Sequence, residues 1–455
     1  MRGARRHSST SGRLVTRMIT AYAATRCRRG RVGMDLTCHA RRGCRSVTPV
    51  AAAPRDPWLD NTKMVLVMLV VIGHSIGLVE STTGSHWLYD FIYLWHIPAF
   101  VFISGYLSKS FEWDRRRMKN LLYTLAVPYL LFEPALYYFR VGVVDEHEPG
   151  LLWLNPHWTM WYLVVLLMWR LATPILKLHW LFLPLSVIVS LVGGLWDTDV
   201  LMIPRFLGLL PFYVLGLHLK PRHLRHLDDV WVRVASVPML VGIAVMAFYT
   251  DTWARTALLW YDAGYDEIPI DNEIVFQTRL TVMGVGLLGA FAAMSLVPRR
   301  SLGWFTRMGT ATLVVYLFHG FIIKTAKALG WEDFTAAHEV LGLVLTVVGA
   351  AVLALVLASP PVRRVLEPLT NPLGWLEARR ASARRAATPS DPTSAAPRSA
   401  GPSPAPLPRA GSALPLPDEP GATAPVPPVV GGGADDPGFP RAAGSGERRG
   451  HESTP

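Results

Sequence analysis

Three histidines lie inside long apolar runs: His74 in MVLVMLVVIGHS, His96 in FIYLWHIPAF and His319 in LVVYLFHGF. An ionisable side chain in a membrane helix is costly, so by default it faces the bundle interior and serves a purpose. Imidazole titrates close to working pH and is tuned by burial and neighbours, so the chemistry such a set suits is proton abstraction. A helix-to-helix hydrogen bond is the commoner role for one buried histidine alone. Three at a shared depth point to a site. Tyr316, three residues before His319 and on much the same helix face, is placed to orient that imidazole.

Lys63, with Asp60 beside it, precedes the first apolar run and stands eleven residues before His74, about 16 Å along a helix axis. The two cannot touch. Lys63 could bind an anion at one mouth while His74 acts deeper, with a long donor such as an acylated coenzyme spanning them; interface anchoring is the alternative. Arg115, Arg116, Arg117 and Lys119 cluster in one connection, where guanidinium groups bind phosphates bidentately, although a basic loop also serves orientation. Trp158 and Trp161 in HWTMWYL suit stacking on a sugar ring or an aromatic belt. Arg205, Arg279 and Glu133 are further charged candidates for an external acceptor site, with snorkelling or mutual pairing as the alternative.

These residues need helices to place them. Of 455 residues, 51% are hydrophobic and 17% charged, and apolar runs of about twenty residues recur from Met64 to Leu357, the span that crosses a hydrocarbon core. The expected fold class is all-α, a polytopic membrane bundle of about ten transmembrane helices, near 64–82, 88–108, 118–139, 158–176, 179–196, 203–219, 233–250, 279–297, 310–327 and 340–358. His74, His96 and His319 then each fall about 12 to 15 Å deep, near the midplane. The connection over 251–278 is long enough for a short helix or lid.

The net charge of +12 sits in the ends and in alternate loops, which indicates membrane orientation and not nucleic acid. One set of loops carries Lys109, Arg115, Arg116, Arg117, Lys119, Arg170, Lys177, Lys220, Arg222, Arg225, Arg233, Arg299, Arg300 and Arg307. The other carries Asp145, Glu146, Glu148, Asp197, Asp199, Asp262, Asp266, Glu267, Asp271 and Glu273. The basic side is cytoplasmic by the positive-inside rule, which leaves both termini on the cytoplasmic side of a cell membrane. Cys27, Cys38 and Cys44 all precede the first run and lack zinc spacing, so no metal is expected. Residues 1–54 read as a disordered basic extension without a signal-peptide core, with Met34 as one alternative start; 55–360 is the membrane domain; 378–455, rich in Ala, Pro, Gly and Arg, reads as a disordered cytoplasmic tail. That composition hints at a high-GC bacterial source.

The stretch RDPWLDNTKMVLVMLVVIGHS, followed by LWHIPAFVFISGYLSK, resembles the opening of the membrane-bound acyltransferase-3 family, and most closely its fucose 4-O-acetylase subgroup. RRRMKNLLYTLAVPYLLF, HWTMWYLVVLLMWRL, RFLGLLPFYVLGLHLK and LGWFTRMGTATLVVYLFHG follow in order, over roughly residues 55–360. The resemblance implies transfer of an acyl group, acetyl first among them, from cytoplasmic acyl-CoA to a carbohydrate hydroxyl of an exported or lipid-linked glycan. It implies His74 as the principal catalytic histidine, Lys63 as its basic partner, and the Arg115 to Arg117 cluster on the coenzyme. His74 would take the hydroxyl proton or carry the acyl group as an acyl-imidazole. Glu133 stands where the subgroup tends to have an amide. A secondary transporter or flippase with a histidine proton pathway is the alternative, opposed by the lack of an evident internal repeat. A haem carrier lacks an iron signature.

The charge bias sets a test. A reporter active only in the cytoplasm should work when fused after Arg117, Arg225 or Arg307 and fail after Asp145 or Asp266. The reverse pattern at any two sites would overturn the assigned orientation.

Overall fold

Asp56 and Pro57 start the first helix earlier than the apolar run suggests: the Asp56 carboxylate accepts the Trp58 amide at 3.0 Å, and Pro57 needs no partner at its first position. In this computed structural model, which describes residues 55–387 except 80–81, 148–149, 197, 199, 269 and 271–273, α1 spans Pro57–Ile76. Asp60 and Lys63, expected ahead of the helix, therefore lie within its first two turns and pair at 2.7 Å. His74 falls in the last turn of α1, not about ten residues in. The cysteines, residues 1–54 and 388–455, and Glu148, Asp197, Asp199, Asp271 and Glu273 lie outside the described residues.

The longest helix is α2 (Thr83–Ser108), opened by a Thr82–Ser85 capping box and running through Pro98. The third expected span is instead α3 (Arg115–Leu121), a π turn Leu122–Ala126, α4 (Val127–Phe139) and a second π turn Arg140–Val144. Pro128 and Pro134 each remove a backbone donor from this stretch. Then come α5 (Trp161–Leu176), behind a 3-10 turn Trp158–Met160, and α6 (Phe182–Gly193), whose twelve residues reach only about 18 Å. α7 (Ile203–Gly208) and α8 (Leu210–His218) meet at a bend of 57°. α9 (Val230–Phe248), a short α10 (Thr256–Trp260) and α11 (Val275–Leu296) follow. α12 (Thr312–Ala328) turns by 64° into α13 (Trp331–Ala337), and α14 (Glu339–Ala358), α15 (Pro360–Thr370) and α16 (Pro372–Ala387) complete the order.

No strand occurs among the described residues, so the fold is all-α. Six helices among them are long and apolar enough to cross a membrane, or up to eight if each bent pair counts as one span, where the sequence pattern suggested ten. The shortfall comes from the π-interrupted segment and from α6. The tail boundary expected at residue 378 also falls inside a helix, α16, whose Glu377 pairs with Lys119 at 2.6 Å and accepts from Tyr123 at 3.1 Å.

α2 is the hub, packed against α1, α8, α9 and α11, while α14 and α12 close the other side of α1. α9 and α14 expose most of their apolar surface, as helices that face lipid do. α1 is fixed by backbone carbonyls: Trp58 Nε1 donates to Met294 at 3.2 Å, and Asn61 Nδ2 to Pro298 and Arg300 at 2.8 and 3.1 Å. Thr306 Oγ1 donates to the side-chain oxygen Oδ1 of Asn61 at 2.7 Å. α2 and α8 cross at two glycines, Gly105 against the Tyr213 backbone and Gly216 against that of Phe102 and Tyr106, because small residues let backbones meet where lipid supplies no hydrophobic drive.

A methyl group at Gly105 would overlap the Tyr213 carbonyl, whereas Gly242 of α9 has nothing within 4 Å of that position. Gly105→Ala should lower stability by about 1 to 3 kcal/mol. Gly242→Ala should be neutral or gain up to about 1 kcal/mol. Thermal unfolding in detergent checks both, and equal behaviour would refute the close crossing.

Candidate active site

The last turn of α1, the first half of α2, the start of α5 and α7 surround a cavity of about 360 Å³. His74 and His96 both line it, with Trp158, Trp161, Arg205 and Tyr316. His96 is buried, and its Nδ1 lies 2.7 Å from the Ile92 carbonyl. A carbonyl oxygen only accepts, so Nδ1 carries the proton and Nε2 remains an acceptor. His319 has the same tautomer, with Nδ1 3.1 Å from the Val315 carbonyl. It lies behind the cavity wall, fully buried, with Nε2 lacking a partner among the described residues. Its ring stands 5.4 Å from that of His74. The expected convergence of three imidazoles thus forms around His74, with His96 across the cavity and His319 behind.

Trp158 meets His74 edge to face at 5.1 Å between ring centres. Its φ of 47° is a left-handed conformation that a bulky residue adopts only when its surroundings impose it. Two contacts flank this turn. The buried Glu133 carboxylate accepts the His157 amide at 3.0 Å and holds the His157 ring through Nδ1. The Tyr316 hydroxyl donates to the Thr159 carbonyl. The Tyr316 hydroxyl therefore holds the Trp158 turn, and its ring lies 6.0 Å from the imidazole it was expected to orient. Glu133 lines none of the cavities described here and acts on this turn from behind.

Beyond the turn, Lys324 lies 4.7 Å over the Trp158 ring and pairs with Glu146, which also binds Arg140 and Lys327. Burial pushes the Glu146 carboxyl up, but Lys324, Lys327 and Arg140 more than offset it and hold it at about 2. This cluster's contribution is complete above the ordinary carboxylate range and fades as pH falls toward 2.

A second cavity of about 360 Å³ lies at the opposite ends of the same helices, lined by Lys63, Ser104, Arg170 and Leu313 among others. Phe100, Tyr162 and Tyr316 line both cavities, so one aromatic wall separates them. A third hollow of about 200 Å³, lined by Arg117 and Asn120, shares Leu107, Thr124 and Arg170 with the second. Of the expected basic cluster only Arg117 reaches a cavity; Arg115 and Arg116 are exposed, and Lys119 is tied to Glu377. Arg170, read from sequence only as a charge marking orientation, lines two hollows, and its Nε has no partner among the described residues. Its signal was a guanidinium inside the apolar run YLVVLLMWRLATPIL. Tyr89, Tyr93, Trp260 and Asp262 also line the first cavity without having been singled out for it. Arg279 stacks at 4.0 Å on Tyr261 and lines none of these cavities. No group of three or more potential metal ligands occurs among the described residues.

The chain belongs to the acyltransferase-3 family: the acyltransferase domain profile matches residues 56–358. It is therefore an acyltransferase. It is 24% identical over 333 residues to nodulation protein NolL of Sinorhizobium fredii, covering 66% of this chain and 86% of that protein. It is also 24% identical over 352 residues to nodulation protein NolL of Mesorhizobium japonicum, covering 71% and 91%. No solved structure matches.

Glu133→Ala should leave two buried His157 N–H groups without an acceptor and cost about 2 kcal/mol or more. It should also loosen the Trp158 turn. Thermal unfolding, read together with the Trp158 resonance in fluorotryptophan-labelled protein, assigned by its loss in Trp158→Phe, measures both effects; an unchanged melting point would show that the pair does not hold the turn.

Proposed function

We propose that this acyltransferase-3 family member moves an acetyl group from acetyl-CoA to a hydroxyl of an exported, cell-surface or secreted carbohydrate, as in the fucose 4-O-acetylase subgroup. The observation that carries this reading is the pair of cavities back to back along one bundle. Lys63 and Arg170 line one, His74 and His96 line the other, and Phe100, Tyr162 and Tyr316 stand between them. Eleven residues of helix make close to three turns, so Lys63 and His74 project from one face of α1 about 16 Å apart. The Lys63 end coincides with the basic loops. The chain passes from the Lys63 end at Leu107 to the His74 end at Trp158, and from Arg170 back to Arg205, so in this scheme the π-interrupted segment and α6 cross as well; with the two bent pairs this gives ten crossings, an even number that leaves both termini on the cytoplasmic side of the cell membrane.

In this scheme the coenzyme's phosphates dock on the cytoplasmic side at Arg117, Arg170 and Lys63, and its arm passes the aromatic wall to present the thioester at His74. His74 takes the proton of the acceptor hydroxyl while that oxygen attacks the thioester carbonyl. The tetrahedral adduct collapses with cleavage of the carbon–sulfur bond, and the departing thiolate takes the proton back from the imidazolium. The ester and free coenzyme are the products, with no other reactant needed. His96, with Nε2 unprotonated, can help hold the acceptor hydroxyl. His319 packs against His74 and sets its ring. The aromatic lining supports a sugar in the outer cavity, with Trp158 and Trp161 as walls and Arg205 beside them.

His74→Ala should lower acetyl transfer by about 10²- to 10⁴-fold while insertion stays intact, and a larger loss would mark His74 as carrying the acyl group itself. His96→Ala and His319→Ala should lose less. Lys63→Ala should chiefly raise the KM for acetyl-CoA, and Lys63→Arg should be tolerated. Transfer from labelled acetyl-CoA in membranes across a coenzyme series reads all of these. Near-normal turnover in His74→Ala would overturn the assignment and favour the transporter alternative.

A further inference from the structure

The outer cavity has a lip that comes from a part of the chain no motif touches. The connection after α9 forms α10 and a turn, and Trp260 and Asp262 from it line the cavity opposite His74's helix. This lip is tied down on every side. Trp260 Nε1 donates to the Tyr89 hydroxyl at 2.9 Å, and Tyr89 stacks on Tyr93 at 4.0 Å. Arg205 donates from Nε to the Trp260 carbonyl at 3.2 Å, lies 4.7 Å over the Trp161 ring, and pairs through Nη2 with Asp262 Oδ2. From beneath, Arg279 donates to the Leu258 carbonyl at 3.1 Å.

One atom is left over. Asp262 Oδ1 is buried and has no hydrogen-bond partner among the described residues, although its sister oxygen is held by Arg205. A buried carboxylate oxygen without a donor is expensive, so such an atom beside a cavity marks a place where a ligand donor arrives. The charge arithmetic narrows the donor. Arg205 is already paired with Asp262, so a second anion here would meet a carboxylate with no other Lys or Arg among the described residues that line the cavity. A neutral hydroxyl meets an unoccupied acceptor between aromatic faces, which is how sugar rings are held: apolar ring faces on aromatic side chains and hydroxyls on fixed polar groups.

We propose that Asp262 and Trp260 form the acceptor subsite, and that it selects an uncharged sugar, one of whose hydroxyls donates to Asp262 Oδ1. This rests on the acyl-transfer reading above for its substrate class. Asp262 and Trp260 bind and orient the acceptor, and the proton transfer stays with His74. Arg205, by pairing with Asp262, holds the carboxylate in place and does not itself recognise an anion.

The test reads binding without any donor present. Full-length protein in lipid nanodiscs is examined by saturation-transfer NMR with methyl fucoside, methyl glucoside and methyl glucuronide. The neutral glycosides should bind, and the glucuronide, which differs from the glucoside by one carboxylate, should bind at least about tenfold more weakly. Asp262→Ala should weaken neutral binding about tenfold or more, the value of one hydrogen bond to a charged group. Asp262→Asn must turn its single oxygen to Arg205, which has donors only, and so presents an amide N–H in place of the free acceptor; it should weaken neutral binding by a similar factor and close the gap to the glucuronide, and it carries the test should the alanine variant not fold. In turnover, Asp262→Ala should raise the acceptor KM by a similar factor while the acetyl-CoA KM stays within about twofold. Equal binding of glucoside and glucuronide, binding of no neutral glycoside, or wild-type affinity in Asp262→Ala would each overturn the subsite. A wild-type protein that binds the neutral glycosides but transfers no acetyl group would support the subsite and count against the donor scheme instead.

Discussion

The rotation of α1 about its own axis is the constraint on which both cavities depend. His74 and Lys63 project into different hollows only because one helix face is turned toward them, and a rotation by a single residue would swing both away by about 100°. Four hydrogen bonds near its start prevent this. Trp58 and Asn61 reach the carbonyls of Met294, Pro298 and Arg300, and Thr306 closes the Asn61 side chain from the other direction. These carbonyls belong to the end of α11 and the loop after it, where the Met294 carbonyl also accepts the Val297 amide at 3.3 Å and takes Trp58 as a second donor. One set of bonds thus finishes α11 and fixes α1.

Polar groups elsewhere in the bundle are mostly paired, which makes the unpaired ones informative. Arg170 Nε borders the inner hollow, Thr159 Oγ1 and Asp262 Oδ1 belong to residues of the outer one, and His319 Nε2 lies directly behind His74. A bundle in hydrocarbon has strong reason to satisfy every such atom, because no water is at hand to do it. These four lie along the route proposed for donor and acceptor, whereas the unpartnered atoms of Trp95, His157, Tyr261 and Arg279 belong to residues that line neither cavity. The wall of Phe100, Tyr162 and Tyr316 divides that route, with the Tyr162 hydroxyl held to Ser104 and the Tyr316 hydroxyl to the Thr159 carbonyl.

Much of this was legible from residue types alone. A histidine in an apolar run announces itself, and His74 and His96 do line one cavity, with Trp158, Trp161 and Arg205 beside them. Distances along the helices were less legible, because apolar windows mark where lipid is and not where hydrogen bonding starts. Asp56 and Pro57 moved the start of α1 to residue 57 and His74 to its last turn. Partners remote in sequence were invisible. Nothing near Glu133 says that its carboxylate will close on His157, and nothing near Asp262 says that Arg205, 57 positions away, will take one of its two oxygens. Glu377 was hidden differently: its surroundings look unable to fold, yet a helix with one well-placed ion pair and a tyrosine contact docks on α3 and the π turn after it.

Several of the irregular segments contribute to the site beside the regular spans α1 and α2, and irregularity and site have one cause there. A straight helix presents an unbroken wall, and irregular backbone at membrane depth is tolerated only where it is buried in protein or lines a cavity. The π turn Leu122–Ala126 supplies Thr124 and Leu125 to the inner cavity. The positive φ of Trp158, followed by a single 3-10 turn, sets its indole against His74 before α5 begins. The kinked entry at Leu201 and Met202, both with φ of 52°, delivers Arg205 to the outer cavity. π turns and left-handed residues carry a conformational cost that a lipid-facing helix has no reason to bear. Several of them border the two hollows, while α9 and α14 run unbroken through the exposed flank, which fits the proposed division between the first helices and the last.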